Sequence, residues 1–324
     1  MDGRSAGVEP ARATGRAAVL DGCEVLALRG GPGGITHLEA RKDGQIIHLT
    51  AGQFVLAAGA LGSPRLLMAS ASEAWPNGCG NATGLVGRNL MFHLNERVAI
   101  WPERRADFTG PINTISIRDF YVQDGMRFGH LQSMGMSANY GTILHTLRER
   151  FDQSRLAPVR PLRSLLRLPA MAAARLFGSA RIFVGILEDL PYLQNRVVFD
   201  ASHPERVSFE YQVMPELLER RRAFRAAIKA GLGDTRSFFL DIDPDLNSAH
   251  ACGTLPFGTD PATSVLDPDC RVHGIDNLHV ADASFMPTST GINPSLTIAA
   301  NALRVADRAI SRRAGLQVRR QPAF

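Results

Sequence analysis

Cysteine is scarce: Cys23, Cys79, Cys252 and Cys270 lie at irregular spacings in 324 residues. That excludes the disulfide framework of small secreted domains and makes a reducing compartment the expectation. Long apolar runs are missing as well. No stretch approaches the roughly 18 consecutive apolar residues of a membrane span. The opening MDGRSAGVEPARATGRAAVL has early acidic residues and no apolar signal core, so a cytoplasmic location is expected. The basic residues are nearly all arginine and are scattered, with no basic block interleaved with aromatics. The net charge of +5 therefore does not indicate nucleic acid. A Gly-x-Ser-x-Gly elbow, a P-loop, internal repeats and low-complexity tracts are all absent, which removes the commonest hydrolase and nucleotide-hydrolysing readings.

What is there is ordinary globular material. With 45% hydrophobic and 21% charged residues, the chain can bury a core as one large domain or two. Residues 17–49 read as a three-stranded β-meander, AAVLDGCEVLAL, ITHLEAR and QIIHLT, separated by RGGPGG and by a turn whose Asp43-Gly44 is a hairpin signal. FVLAAGA is a continuous apolar run, the mark of a strand buried on both faces. It leads into LGSPRLLMAS, where Ser63 suits an N-cap and Pro64 the first helical position. Between 93 and 247, strand-like pieces (RVAIWP, NTISIRDFYV, RVVFD, RVSFEYQV) surround helical patterns at 160–178 and 215–231. Pro169 should kink or break the first helix, whose arginine spacing suits a solvated face, a lid over a pocket or a membrane surface.

The last 77 residues carry the chemistry. Asn293 precedes Pro294, so a helix is predicted from 294, with Leu296, Ala299, Ala300, Leu303, Ala306 and Ile310 forming a buried face. Its N-terminus follows PTSTGIN and presents unpaired N–H groups either to the Asn293 side chain as a cap or to an anionic ligand. His250 sits among turn-forming residues, and a loop histidine suits acid–base work. The pairs His250/Cys252 and Cys270/His273 offer a rival reading as four zinc ligands.

Taken together, VLAAGALGSPRLLMAS, VGRNLMFH, EDLPYLQNRVVFD and HACGTLPFGTDPATSVLDPDCRVHGIDNLHVADASFMPTSTGINPSLTIAANALRVAD resemble the C-terminal two-thirds of glucose–methanol–choline (GMC) oxidoreductases. The resemblance implies FAD and hydride removal from the CH–OH carbon of an alcohol or sugar, with no metal. It implies that His250 is the base and that Asn293 binds the substrate oxygen. It also implies flavin contacts at Asn293, Pro294 and Ser295, and ribityl and pyrophosphate contacts at Asp282 and Ala283. Ala58 and Gly59 line the cofactor's backbone side, and Val25 lies beside the adenine. The fold class it implies is α+β (mixed α/β). Residues 1–92 form part of an FAD-binding Rossmann-like domain, and 93–247 form an antiparallel-sheet substrate domain flanked by helices. Residues 248–324 return to the first domain with the active site.

One family element has no counterpart in these 324 residues. The strand–Gly-x-Gly-x-x-Gly–helix unit that binds a dinucleotide pyrophosphate is not found, and RGGPGG reads as a hairpin loop. Three expectations follow: a truncated oxidoreductase, a non-catalytic remnant, or one half of a split enzyme whose FAD-binding partner is a separate polypeptide.

Overall fold

A computed structural model describes residues 2–102, 115–137 and 139–313. The meander forms as its turn chemistry predicts. β1 (Cys23–Gly31), β2 (Gly34–Lys42) and β3 (Gln45–Leu49) pair antiparallel in chain order. Asp43 and Gly44, at φ 50° and 77°, form the left-handed two-residue turn that matches strand twist. β1 starts at Cys23, so the leading AAVLDG lies outside it.

The run at 54 gives only a short strand, β4 (Phe54–Leu56). Phe54 and Leu56 are buried, but Val55 is 50% exposed, which corrects the expectation of burial on both faces. β4 pairs in parallel with the strand Leu278–Val280. The two strands make a sheet of their own, and among the described residues no layer covers the Val55 side.

Helix α1 (Gly59–Ala69) begins five residues before the predicted start at Pro64, so Ser63 is not its N-cap and Pro64 lies inside it. The reason is tertiary. The Asp282 carboxylate accepts the Gly59 N–H at 3.0 Å and the Ser63 hydroxyl, capping the helix from 219 residues beyond Ser63. Pro64 leaves the Ala60 carbonyl without its helical donor. The buried Thr254 hydroxyl donates to that carbonyl at 2.7 Å instead.

The larger sheet is built on β5 (Met91–Ile100), with β6 (Ser116–Ile117), β7 (Gly129–Ser137), β8 (Arg181–Leu187), β9 (Ser237–Phe239) and β10 (Asp245–Cys252). Its order is β9-β5-β8-β7-β6, with β10 also on β5, and every pairing is antiparallel. Part of the predicted strand NTISIRDFYV, residues 113–114, lies outside the described residues, as do residues 314–324. Helices α2 (Tyr140–Asp152) and, after the short α3 (Arg160–Leu165), α4 (Arg167–Phe177) and α5 (Pro215–Leu232) flank the sheet. The α3–α4 break at Leu166 falls three residues before Pro169, as a missing N–H requires. Leu217, Phe224 and Ile228 of α5 pack on the sheet. Fully buried Glu96 of β5 accepts from Arg221 and Arg225 of the same helix. Among the described residues the two largest cores draw on residues 28–91 and 252–305 and on residues 94–228, with smaller clusters around Ile182 and around Phe92.

The C-terminal helix, α6 (Ser295–Arg313), is amphipathic in the opposite sense from the prediction. Asn301, Val305 and Ala309 are buried, whereas Leu296 is 82%, Leu303 72% and Ile310 67% exposed. Ala299, Ala300 and Ala306 are exposed beside them. Periodicity finds an apolar face but not what packs on it.

Candidate active site

His250 lies on β10, not on a loop as expected. The turn-forming residues begin at Gly253, after the strand has closed. Asn247 pairs with His93 and Cys252 with Met91, so residues 248–251 stand opposite Phe92 alone. This bulge breaks the ladder and re-aims the side chains within it, and His250 is half-buried there.

The partner of His250 is a residue that sequence reasoning missed. His93 of β5 is fully buried, and its Nδ1 lies 3.0 Å from His250 Nδ1 with the rings edge to face at 88°. His93 Nε2 faces two carbonyl oxygens, Thr290 at 2.8 Å and Ser289 at 3.0 Å. Two acceptors require that nitrogen to carry the hydrogen. Burial, with His250 beside it, pushes the His93 pKa down to about 4, so the ring is neutral and its Nδ1 is an acceptor. The hydrogen shared by the two Nδ1 atoms therefore belongs to His250, whose Nε2 keeps its lone pair. In that tautomer the Asn247 amide nitrogen, 3.2 Å from His250 Nδ1, is a second donor at the same atom and makes no hydrogen bond to it, while Asn247 Oδ1 accepts from the Ala249 N–H. Burial also lowers the His250 pKa, which keeps the ring neutral.

The loop that accepts from His93 leads to Asn293. Its route is fixed by backbone contact: a Cβ on Gly291 would stand 2.2 Å from Gly129 Cα. The His130 N–H donates to the Gly291 carbonyl at 3.0 Å, and the Tyr121 hydroxyl accepts from the Gly291 N–H at 3.0 Å. Asn293 is exposed and does not cap α6; its amide donates to Gln132 Oε1 at 2.8 Å. The helix begins at Ser295, one residue later than predicted, with the Ile298 N–H bonded to the Pro294 carbonyl. His250 and Asn293 are thus linked through His93 and residues 289–292.

Beneath this loop lies Asp189, fully buried, which accepts from Phe92 N–H (3.2 Å), Leu190 N–H (2.9 Å) and Tyr211 hydroxyl (2.7 Å). Its backbone exchanges hydrogen bonds with Ser289. Burial raises its pKa to about 6. His130 is buried too; its Nδ1 meets the Ser116 hydroxyl at 3.0 Å, while its Nε2 has no partner among the described residues.

The remaining expected cofactor residues fall into two groups. Gly59 and Asp282 meet directly, and the Asp282 carboxylate is spent on Gly59, Ser63 and Ser284 at 2.9 Å, which leaves backbone to face a ligand. Ala58 is exposed, and Gly59, at φ 78°, has open space where a Cβ would stand. Ala283 is buried, and Val25 of β1 packs against the same core. Pro294 is buried and Ser295 exposed at the start of α6. A dinucleotide fits such surroundings: a helix start at Gly59 with open space where a Cβ would stand, and an orphaned buried nitrogen at His130.

The four proposed zinc ligands do not assemble. His250 is engaged by His93, and His273 Nε2 lies 3.0 Å from Ser264 Oγ and 3.2 Å from the Gly258 carbonyl. Cys270 packs against Asn301 and Arg304, and burial raises the pKa of both Cys252 and Cys270, against the thiolate form that zinc needs. All four cysteines are free thiols. The one group spaced for an ion among the described residues is His37, Glu39 and His48 on the meander, where Arg29 already holds Glu39 at 2.7 Å.

Comparison with known proteins identifies the family. The family model described as GMC oxidoreductase matches residues 200–302. The chain is 33% identical to paromamine 6'-oxidase of Streptomyces fradiae over 85% of its own length and 48% of that protein. It is 31% identical to 6'''-hydroxyparomomycin C oxidase of Streptomyces lividus over 82% and 46%. Among solved structures, pyridoxine 4-oxidase from Mesorbium loti superposes with a TM-score of 0.62 at 24% identity, covering 93% of this chain and 59% of that one. The chain spans about half the length of the curated relatives it matches.

Proposed function

Because this chain carries, in residues 200–302, the C-terminal domain of a GMC oxidoreductase, we propose that it supplies the catalytic part of an FAD-dependent enzyme oxidising the CH–OH group of an alcohol or sugar. FAD, when bound, supplies the hydride acceptor. Val25, Ala58, Gly59, Asp282, Ala283, Asn293, Pro294 and Ser295 would hold it. The observation that carries the reading is the His93–His250 contact, which leaves His250 Nε2 as a neutral base. That nitrogen takes the hydroxyl proton as the C–H bond breaks. The Asn293 amide, held by Gln132, positions the substrate oxygen. The start of α6 turns its positive end toward charge that develops during reduction. Paromamine is the first alcohol to test, because a relative is named for its oxidation.

A second observation supports incompleteness of the unit. The exposed stripe Leu296, Leu303 and Ile310 and the open Val55 side of β4 form apolar surface next to the residues expected to hold FAD. In this reading a nucleotide-binding unit with the glycine fingerprint, on the same or a separate polypeptide, covers them.

The test is anaerobic mixing of FAD-loaded protein with alcohol, followed by flavin bleaching in the visible spectrum. His250→Ala should keep flavin bound and lose bleaching; unchanged bleaching would remove His250 from the base role. Stoichiometric FAD retained by this chain alone on gel filtration would refute the need for a covering unit.

A further inference from the structure

The segment from Arg155 to Leu176 was open to three readings from its sequence, and its exposure pattern selects one. Leu156, Val159, Leu162, Leu165, Leu168 and Leu176 are all exposed, between 38% and 62%. Leu162 and Leu165 of α3, and Leu168, Ala172 and Leu176 of α4, follow at spacings of three or four within their own helices, so each helix carries an exposed apolar face. The opposite face of α4 is already used: Ala170 is fully buried, and Ala173 and Phe177 line a cavity of about 230 Å³ shared with α2. The apolar face is therefore surplus to packing.

Its charge is one-sided. No acidic residue occurs between Asp152 and Glu188, while Arg155, Arg160, Arg163, Arg167 and Arg175 fall within the segment. Arg163 is neutralised by Asp152 at 2.8 Å. The other four are exposed and have no ion pair among the described residues. A leucine face, with Arg175 at its border and unpaired Arg155, Arg160 and Arg167 on the other sides of the same segment, matches a bilayer surface, where acyl chains take the leucines and the long guanidinium side chains reach anionic headgroups. A solvated helix would not spend so many leucines on water. No described helix is long and apolar enough to cross a membrane, so the geometry is one of lying on the surface.

We propose that α3 and α4 dock this protein on an anionic lipid bilayer through Leu162, Leu165, Leu168 and Leu176 and the unpaired arginines of the same segment. The proposal stands apart from the oxidoreductase reading and uses none of its residues.

Co-sedimentation of the full chain with phosphatidylglycerol/phosphatidylcholine vesicles, against phosphatidylcholine alone, tests it. The expected result is binding to the anionic vesicles that falls at high salt. Leu165→Asp with Leu168→Asp should weaken it at least tenfold, and Arg160→Gln with Arg167→Gln and Arg175→Gln should weaken it and flatten its salt dependence. All these sites are exposed, so circular dichroism should show unchanged folding. Leu168→Trp gives an independent reading: its fluorescence should shift to the blue on adding anionic vesicles. Equal binding to both vesicle types, no binding, or a dimer in light scattering that the leucine variants convert to monomer would each overturn the proposal, the last by giving the face to a second copy of the chain.

Discussion

His93 Nδ1 lies 3.0 Å from His250 Nδ1, and the same His93 ring reaches the Thr290 carbonyl at 2.8 Å with its other nitrogen. One fully buried ring therefore spans the strand that bears the candidate base and the loop that leads to Asn293. Its two carbonyl partners fix its tautomer, and its tautomer fixes that of His250. In this arrangement His93 is a positioning residue. It converts the backbone geometry of residues 289–290 into a lone pair at His250 Nε2.

That role predicts a graded response to substitution. His93→Leu leaves the carbonyls without a donor and His250 free to take the wrong tautomer; the rate of flavin reduction should fall by about 10²-fold, the lower end of what a general base contributes. His93→Gln presents an amide N–H to the carbonyls and an amide oxygen to His250 Nδ1–H, so it should recover most of the rate. A merely structural role would show the two variants equally impaired at matched stability, with the same pH profile as the parent.

The acid stability of the fold carries the same signature. The His93 pKa falls from 6.5 to about 4 on folding, so the unfolded chain binds more protons between those values. Its contribution is present above pH 6.5 and is lost as pH falls toward 4, amounting to about 3 kcal/mol. Asp189 works in the other direction. Its carboxyl, raised from 3.8 to about 6 by burial, favours the fold at low pH and loses that contribution as pH rises through 6. His93→Gln removes the first effect and keeps the second. Denaturant melts at pH 6.5 and pH 4 should therefore show the variant gaining about 3 kcal/mol on the parent over this interval. A constant difference between the two proteins would contradict the buried neutral assignment.

The sequence disclosed local features well and partners poorly. Asp43-Gly44 announced its turn because both left-handed φ angles are set by those two residues. His250 stands out by its turn-rich surroundings and Asn293 by the Asn-Pro helix start, and their roles come from the family resemblance. His93 stood in the quoted VGRNLMFH, but nothing in a strand states which residue will face it from another strand 157 positions on. Ser63-Pro64 misled because its cap preference is local, whereas Asp282 supplies the cap from far along the chain. Helix α2 went unseen although Asn139 caps it by accepting the Thr142 N–H at 2.9 Å. The face of α6 was read with the right period and the wrong environment, since a single chain does not declare what covers its apolar stripes.

Gly291 and Gly129 hold the loop against β7, and their side-chain hydrogens leave no room for a methyl group. Gly291→Ala would place its Cβ 2.2 Å from Gly129 Cα and 2.9 Å from the Phe128 carbonyl, both backbone atoms that cannot rotate away. The loop must shift, at a cost of about 1–3 kcal/mol. Gly129→Ala should cost more, because its Cβ would meet the Ile186 carbonyl at 1.9 Å and its φ of 153° already disfavours a side chain. Thermal melts should rank the three proteins in that order, and a stable Gly129→Ala would show that the two backbones do not touch.

The pairing of Thr254 with the helix interrupted by Pro64 can be isolated with a double-mutant cycle. Thr254→Val keeps the buried shape but removes the hydroxyl that donates to the Ala60 carbonyl at 2.7 Å. Burial without a partner should cost about 1–3 kcal/mol. Pro64→Ala restores an N–H at the position from which a helix ordinarily serves that carbonyl, four residues back. In the Pro64→Ala background the Thr254→Val change should therefore cost less by about 1 kcal/mol, because the carbonyl has another donor. Thr254→Ser in the original background should be milder than Thr254→Val, since it keeps the donor and loses only a methyl group. Strict additivity of the two changes would mean that Thr254 stabilises the fold by packing alone, and that the Ala60 carbonyl finds its donor elsewhere.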